Sequence, residues 1–456
     1  IKPLVYYWDG KHFTFASEIK ALLTDPSISK ELDYEALQLY LTFNYVPAPY
    51  TIFKGIKKLE PGKYLILQNG NVEIKTYWEP PDSVDPVIAS LPVEDQIEQF
   101  RRPLYEGIND AVSSRMIADV PLGAFLSGGI DSSIIVALMA RSSSRPVKTF
   151  SIGFEDDPLY DETHYAREVA EQYGTDHHEF KISYKDMLEV LPDVLSAFDE
   201  PFADSSAIPT YIVAQATKKY VTVALSGDGG DESFMGYNYL SFVNSNKLFF
   251  YTPSWLKKIA NQIGLVLNIA KLLNVPDELI VVNNTKEYIV YYFTVIDSIR
   301  LKLRRNWVDR FYSRYLSLSK NLLQQAADIN IKLWLENDSN VKVDRASMAY
   351  SVEVRSPFLD YRIVEMARSL PIRYRFHGGI RKRILRDLLK EYIPEEVFNQ
   401  PKKGFGVPLG DWIRNELKEE FTEKLNDKFL SVVPNLDIKK FKVQMQEHMS
   451  GKKDNK

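Results

Sequence analysis

The stretch Ser127-Gly128-Gly129-Ile130-Asp131-Ser132-Ser133 constrains this chain more than any other. An apolar run at 120–126 leads into it and another at 134–139 leads out, so the segment reads as strand, glycine turn, helix. Such a turn presents backbone N–H groups at a helix N-terminus, where the helix dipole also favours an anion. The glycines let the backbone approach that anion closely. The serines add hydroxyl donors, and Asp131 can hold a cation that bridges phosphate oxygens. No lysine follows the glycines, which excludes the G-x-x-x-x-G-K-[ST] loop. The chemistry suggested is a nucleoside triphosphate losing pyrophosphate. Two glycines alone would equally suit a tight turn with a serine N-cap. The full heptapeptide between a strand and a helix is more specific.

From 120 to 233 strand patterns alternate with helix patterns. Strands are expected at 149–154, 179–182 and 221–225, and a helix at 166–173 is expected to stop at Gly174. Apolar runs separated by helices argue for a parallel sheet. Upstream, residues 1–78 mix short strands with two helices, one capped by Ser17 and one following Asp33; Asn69-Gly70 signals a hairpin. Residues 79–93 are rich in Pro, Asp and Ser and read as a linker, and a long helix fits 94–116. Residues 240–430 look mostly helical, and 451–456 read as a disordered tail.

The strand at 221–225 ends in Ser226-Gly227-Asp228-Gly229-Gly230-Asp231-Glu232. Ligands of open α/β sheets sit beyond the carboxyl ends of the strands, so this loop could face the first. Three carboxylates so close together call for a cation or a cationic substrate. Alone, the loop could equally be an acidic surface turn. Paired with the first loop it reads as a site in which Asp131 and Asp231 hold Mg²⁺ from opposite sides. Two later segments, 342–349 and 352–360, carry charges that would suit helix-surface ion pairs. The segment Pro401-Lys402-Lys403-Gly404-Phe405-Gly406-Val407-Pro408 is a punctuated loop whose lysine could close over phosphates. Residues 381–386 are a basic cluster on a predicted helix, by default a solvated face and alternatively an anion contact; Lys382 is the next candidate for a catalytic cation should neither Lys402 nor Lys403 matter. His177-His178 lacks metal-site spacing and reads as strand-end polar residues.

The bulk properties agree with a soluble globular protein of two or three domains. The net charge of −4 gives no electrostatic reason to expect nucleic acid, and no apolar run could span a bilayer. With no cysteine there is no disulfide, thiolate metal site or thiol nucleophile within these residues, and a cytoplasmic location is expected.

The heptapeptide resembles the S-G-G-x-D-S signature of the ATP pyrophosphatases. The wider combination, with 51–56, 199–206, 226–232, 342–349, 353–360 and 401–405, resembles the glutamine-dependent asparagine synthetases over essentially the whole chain. The resemblance implies an α/β fold: a parallel-sheet ATP-pyrophosphatase domain with a mostly helical C-terminal part over 94–450, preceded by the end of an Ntn-type α+β glutaminase domain over 1–78. It implies that Ser127, Gly128, Gly129, Asp131, Ser132 and Ser133 bind the pyrophosphate portion of ATP. Leu126, Ile152, Ser226 and Gly227 would contact the adenosine. Asp131 and Asp231 would bind Mg²⁺, Asp228 would serve formation of a β-aspartyl-AMP intermediate, and Glu232 and Lys342 would lie near the aspartate. Lys402 would stabilise the adenylation transition state. The substrates implied are aspartate, ATP and glutamine or ammonia, and a homodimer is a candidate assembly.

One departure is large. The family's glutaminase nucleophile is an N-terminal cysteine, absent here, and residue 1 falls inside a family motif, so a fragment of a longer protein is expected. Three rival readings remain: amidation of another carboxylate such as a sugar or peptide acid, lactam formation, or a catalytically dead partner. Lactam-forming members typically have Tyr at the position of Asp228. A dead partner would be expected to have lost Asp131, Asp231 or Lys402, which are all present.

Overall fold

The computed structural model describes residues 2–81, 90, 93–156, 161–245, 256, 311, 315, 321–398, 407–431, 433 and 436–452. Lys402 and its neighbours, residues 82–89 of the expected linker, positions 453–456 and most of 246–320 lie outside the described residues.

The N-terminal portion is built from β1 (Val5–Trp8), β2 (Phe13–Ala16), α1 (Ile19–Leu22), α2 (Tyr34–Phe43), β3 (Ile56–Lys58), β4 (Lys63–Gln68) and β5 (Asn71–Thr76). Strand β1 runs antiparallel to β2 and β3, and β4 pairs with β5 across the expected hairpin. Asn69 and Gly70 both take positive φ, 53° and 75°, as a two-residue hairpin turn requires. Asp33 caps α2 by accepting from the N–H groups of Glu35 and Ala36. Ser17 does not cap α1. That helix starts at Ile19, whose N–H donates 2.7 Å to Oδ2 of the distant Asp199. A nearly buried carboxylate is the stronger acceptor, and the hydroxyl of exposed Ser17 is left to solvent.

The second portion enters through α3 (Val93–Arg115) and then alternates: β6 (Leu122–Phe125), α4 (Ile130–Ser142), β7 (Lys148–Phe154), α5 (Thr163–Tyr173), β8 (Asp176–Ile182), α6 (Ala207–Thr217) and β9 (Val223–Leu225). Gly174 ends α5 in the left-handed conformation, as expected. A short helix α7 (Gly230–Phe234) follows β9; α8 (Asn340–Met348) and β10 (Glu353–Arg355) come later. The sheet order is β10-β9-β6-β7-β8, and every pairing in it is parallel. Strand β10 corrects the ion-pair reading of 352–360. Glu353 and Arg355 do pair at 2.8 Å, but on a sheet strand hydrogen-bonded to β9. Its three residues are too short to show a period.

His177 and His178 are the second and third residues of β8, at its start, and His177 Nδ1 lies 2.8 Å from Thr149 Oγ1 on β7. Burial pushes the His177 imidazole pKa down. The core wraps α4, whose residues Ile134, Ile135, Val136 and Leu138 are buried among α3, the sheet and the C-terminal helices. From β6 the chain steps to β7 on one side, and β9 lies on the other, so the strand order, not the strand direction, switches between β6 and β9. That switch point puts the loops after β6 and β9 side by side.

Asp199 ties the two portions together. It accepts from Ile19 and lies 3.3 Å from Arg345 Nη2 on α8. Replacing Asp199 by Ala removes one of two carboxylates beside Arg345, which keeps Glu18 at 3.5 Å, and leaves a helix N–H without its acceptor, so a loss of about 1–3 kcal/mol is expected in chemical denaturation. Ser17→Ala should change stability by less than about 0.5 kcal/mol.

Candidate active site

At the end of β6 the chain turns through Ser127 and Gly128, the latter at φ 74°, and enters α4 with Gly129 as N-cap. The serines organise this turn themselves. Ser132 Oγ donates to Gly129 O at 3.2 Å and accepts from Ser127 N–H at 3.2 Å, and the two hydroxyls are 3.1 Å apart. The first turn of a 13-residue helix thus opens onto a preshaped concavity.

The β9 loop lies directly against it. A Cβ on Gly227 would stand 2.8 Å from Asp131 Cβ and 2.9 Å from Ser132 N, closer than real side-chain contacts allow. Glycine is therefore what permits the two loops to touch. Ser226 Oγ donates to Asp228 Oδ2 at 2.8 Å and shares a 3.0 Å contact with Ser356 Oγ beyond β10.

Together the loops form one wall of a cavity of about 590 Å³. Leu126, Ser127, Gly128, Gly129, Asp131, Ser132, Ile152, Ser226, Gly227, Asp228, Asp231, Glu232 and Lys342 all line it. Ser133 does not. It is fully buried one helical step from Ser132, on the side of α4 turned into the core. The apolar part of the wall comes from Leu126, Phe150, Ile152, Val213 and Val354.

Asp131 and Asp231 converge on one cation, and that cation is Lys382. Its Nζ hydrogen-bonds Asp131 Oδ2 and lies 2.6 Å from Asp231 Oδ1. Burial alone would push the ammonium down, but the two carboxylates outweigh it and hold Lys382 above its ordinary range. The basic cluster is not a continuous helix. Ile380–Arg381 forms a short strand, Lys382 takes the left-handed conformation at φ 51°, and the helix Arg383–Leu389 starts after it. This kink aims Lys382 at the cavity, which Arg381 and Arg386 also line.

A second lysine lines the same cavity. Lys342 Nζ donates to Asp204 Oδ2 at 2.8 Å and Ser206 Oγ at 2.9 Å. Although burial opposes ionisation, Lys342 and Ser206 hold the Asp204 carboxyl down at about 2. Asp338, fully buried behind them, is pushed well up by burial and by Asp204. Tyr237 donates to Glu232, which is itself buried.

Two features of this site escaped the sequence. The partner of Lys342 is the 199–206 segment, which matched as a motif but gave no hint of its contacts. Lys382 stood only second in line, because no local pattern reports a left-handed lysine before a helix. No group of three or more metal-ligating side chains occurs among the described residues.

A parallel sheet with a switch point, a glycine-serine turn into a helix and a facing acidic glycine loop define an α/β domain with its cavity at the strand ends. The chain belongs to the asparagine synthase family: the family model described as asparagine synthase matches residues 104–456, and one described as a glutamine amidotransferase domain matches residues 1–78. It is 34% identical over 436 residues to glutamine-hydrolyzing asparagine synthetase 1 of Bacillus subtilis, covering 92% of this chain and 66% of that one. A Methanocaldococcus jannaschii protein that carries a similar name provisionally is 37% identical over 366 residues, covering 76% and 68%. The amidase chyE of Penicillium rubens is 26% identical over 420 residues, covering 79% and 60%. The chain thus spans about two thirds of the length of these relatives.

Lys342→Met leaves Asp204 without its counter-charge and should cost about 1–3 kcal/mol, less than for a fully buried pair because both side chains keep some exposure. Adding Asp204→Asn should restore part of that loss. Because the Asp204 pKa is lowered from 3.8 to about 2, the pair's stabilisation is present above pH ~4 and fades as pH falls through about 2. Urea denaturation of the three proteins across that range measures both effects.

Proposed function

We propose that this chain carries the ATP-dependent amidation of aspartate to asparagine through a β-aspartyl-AMP intermediate. The observation that carries the reading is the meeting of the two loops in one cavity, with an anion-receptive helix start, a two-carboxylate cation position and a second lysine paired with Asp204. In this reading the adenosine lies against Leu126, Ile152, Ser226 and Gly227. The phosphates lie against residues 127–132, where the glycine turn enters α4. Lys342 and Glu232 address the acceptor, and Asp228 stands between acceptor and phosphates.

Asp131 and Asp231 fit a divalent ion, since an ammonium already stands between them within hydrogen-bond reach of both. Such an ion, Mg²⁺ in this reading, would neutralise charge on the departing pyrophosphate. The side-chain carboxylate of aspartate attacks the α-phosphorus, and the bond to the bridging oxygen of pyrophosphate breaks. Ammonia then attacks the acyl carbon, AMP leaves and the nitrogen gives up a proton. The apolar wall limits water at the reactive acyl group.

The names of the relatives favour aspartate and glutamine-derived ammonia. A second cavity of about 720 Å³ supports delivery from the N-terminal portion, because Leu4, Tyr45 and Glu60 of that portion line it together with Phe202, Glu336 and Asn337 of the second. Burial and neighbouring Glu60 push Glu336 up to about 8, so this one carboxyl is largely protonated at neutral pH. The likeness to an amidase makes the acceptor the point to test.

The test is ATP–pyrophosphate exchange, and asparagine formation with ammonium as nitrogen donor because the 456 residues hold no cysteine. Exchange should depend on aspartate and not on other dicarboxylates; exchange driven only by another acid moves the acceptor assignment. Lys402→Ala should leave ATP binding nearly intact and raise the adenylation barrier by about 3 kcal/mol or more, as for loss of a charge-stabilising group. Lys403→Ala should be much milder. The opposite pattern would shift the register of that loop by one residue.

A further inference from the structure

We infer that Lys382 competes with the divalent cation for Asp131 and Asp231, so that the chain takes the metal only together with a polyphosphate. The inference rests on the nucleotide reading above and goes beyond it by assigning a control of metal binding to one side chain.

Asp131 opens α4 and Asp231 opens α7, and close packing of their loops forces the two carboxylates together. Two like charges at that range repel unless a cation stands between them. Lys382 supplies that cation from a third element, with its side chain 7% exposed. Its placement is specific. Its backbone is left-handed at φ 51°, a conformation that costs a lysine energy and persists only where the surroundings impose it. Its chain threads past Gly236, where any Cβ would collide with both Lys382 Cε and Asp231 Oδ1. Arg381 Nη1 anchors the turn by donating 3.0 Å to Gly236 O.

A bare divalent ion entering this site must displace a paired ammonium that stays buried, beside two further cations, Arg381 and Arg386. That exchange leaves Lys382 without a counter-charge, which is costly. A polyphosphate changes the balance. Its oxygens offer the ammonium a new partner within the same cavity and free both carboxylates for the metal. Metal and polyphosphate therefore bind as a unit, and one lysine sets the order.

The experiment measures Mn²⁺ binding to the full chain by electron paramagnetic resonance, with Mn²⁺ alone, with pyrophosphate and with a non-hydrolysable ATP analogue. In the wild type, Mn²⁺ alone should bind at least ten-fold more weakly than with pyrophosphate. Lys382→Met and Lys382→Gln should each bind Mn²⁺ alone at least ten-fold more tightly than the wild type, and should lose most of the dependence on pyrophosphate. The Gln variant keeps a polar group between the carboxylates if Met compromises folding. Equal wild-type affinity with and without pyrophosphate overturns the inference whatever the variants do. Variants that gain no affinity for Mn²⁺ alone overturn it too. Failure of the wild type to bind Mn²⁺ with either polyphosphate instead sinks the nucleotide reading.

Discussion

The rest of this structure depends on the contact between two loops at the sheet switch point. Gly227 presses against Asp131 and Ser132 at distances that no side chain would tolerate. The contact costs little because glycine brings no Cβ, yet it fixes much. It brings the start of α4 beside the start of α7, forces two carboxylates toward one point and shapes the wall of the cavity. The parallel sheet beneath supplies the rigidity. Gly123 and Ala124 of β6 lie in register with Ala224 and Leu225 of β9, so the loops leave the sheet at the same level. A site on adjacent strand ends holds its geometry better than one on free loops.

Charge is handled by enclosure. Asp131, Asp231, Asp204 and Glu232 all face one cavity, and each has a named partner: Lys382 for the first pair, Lys342 for Asp204, Tyr237 for Glu232. Enclosed ion pairs add little net stability, because desolvation consumes most of the attraction. They do fix where each group stands. The ammonium of Lys342 is oriented by two acceptors, Asp204 and Ser206, that come from one loop. In the proposed reading, that preorganisation suits Lys342 to address a carboxylate acceptor.

The segment 199–206 shows how one short loop serves two tasks. Asp199 and Glu200 face the N-terminal portion: the first holds Ile19, the second pairs with Lys58 and accepts from the N–H of Ile52 at 3.0 Å. Four and six residues on, Asp204 and Ser206 face the cavity and hold Lys342. The seam between the two portions and the Lys342 pair of the site are thus mechanically continuous. Ala48 N–H, donating to Asn337 Oδ1 at 2.7 Å, ties the same seam to the π-helix Asn330–Ser339 that precedes α8.

The sequence by itself determined the elements whose information is local. The strand–turn–helix around Ser127, the Asp33 cap, the Asn69-Gly70 hairpin and the Gly174 terminator each rest on chemistry within a few residues, and all stand in the structure. The motifs also sufficed for the family, and the predicted site residues of the two loops other than Ser133 line one cavity together with Ile152 and Lys342, while Lys402 lies outside the described residues. Tertiary structure alone decided the partners. Ser17 lost the cap of α1 to Asp199, some 180 residues away, because a nearly buried carboxylate is the stronger acceptor. Strand β10 has three residues, too few for a period, and exists through its pairing with β9. Ser133 follows Ser132 in sequence but turns into the core, since successive helix residues point about 100° apart. Lys382 finds Asp131 across 251 positions, through a left-handed turn that no propensity predicts. Contacts between residues so far apart are set by how the sheet and its helices pack, and that information resides in no single stretch of the chain.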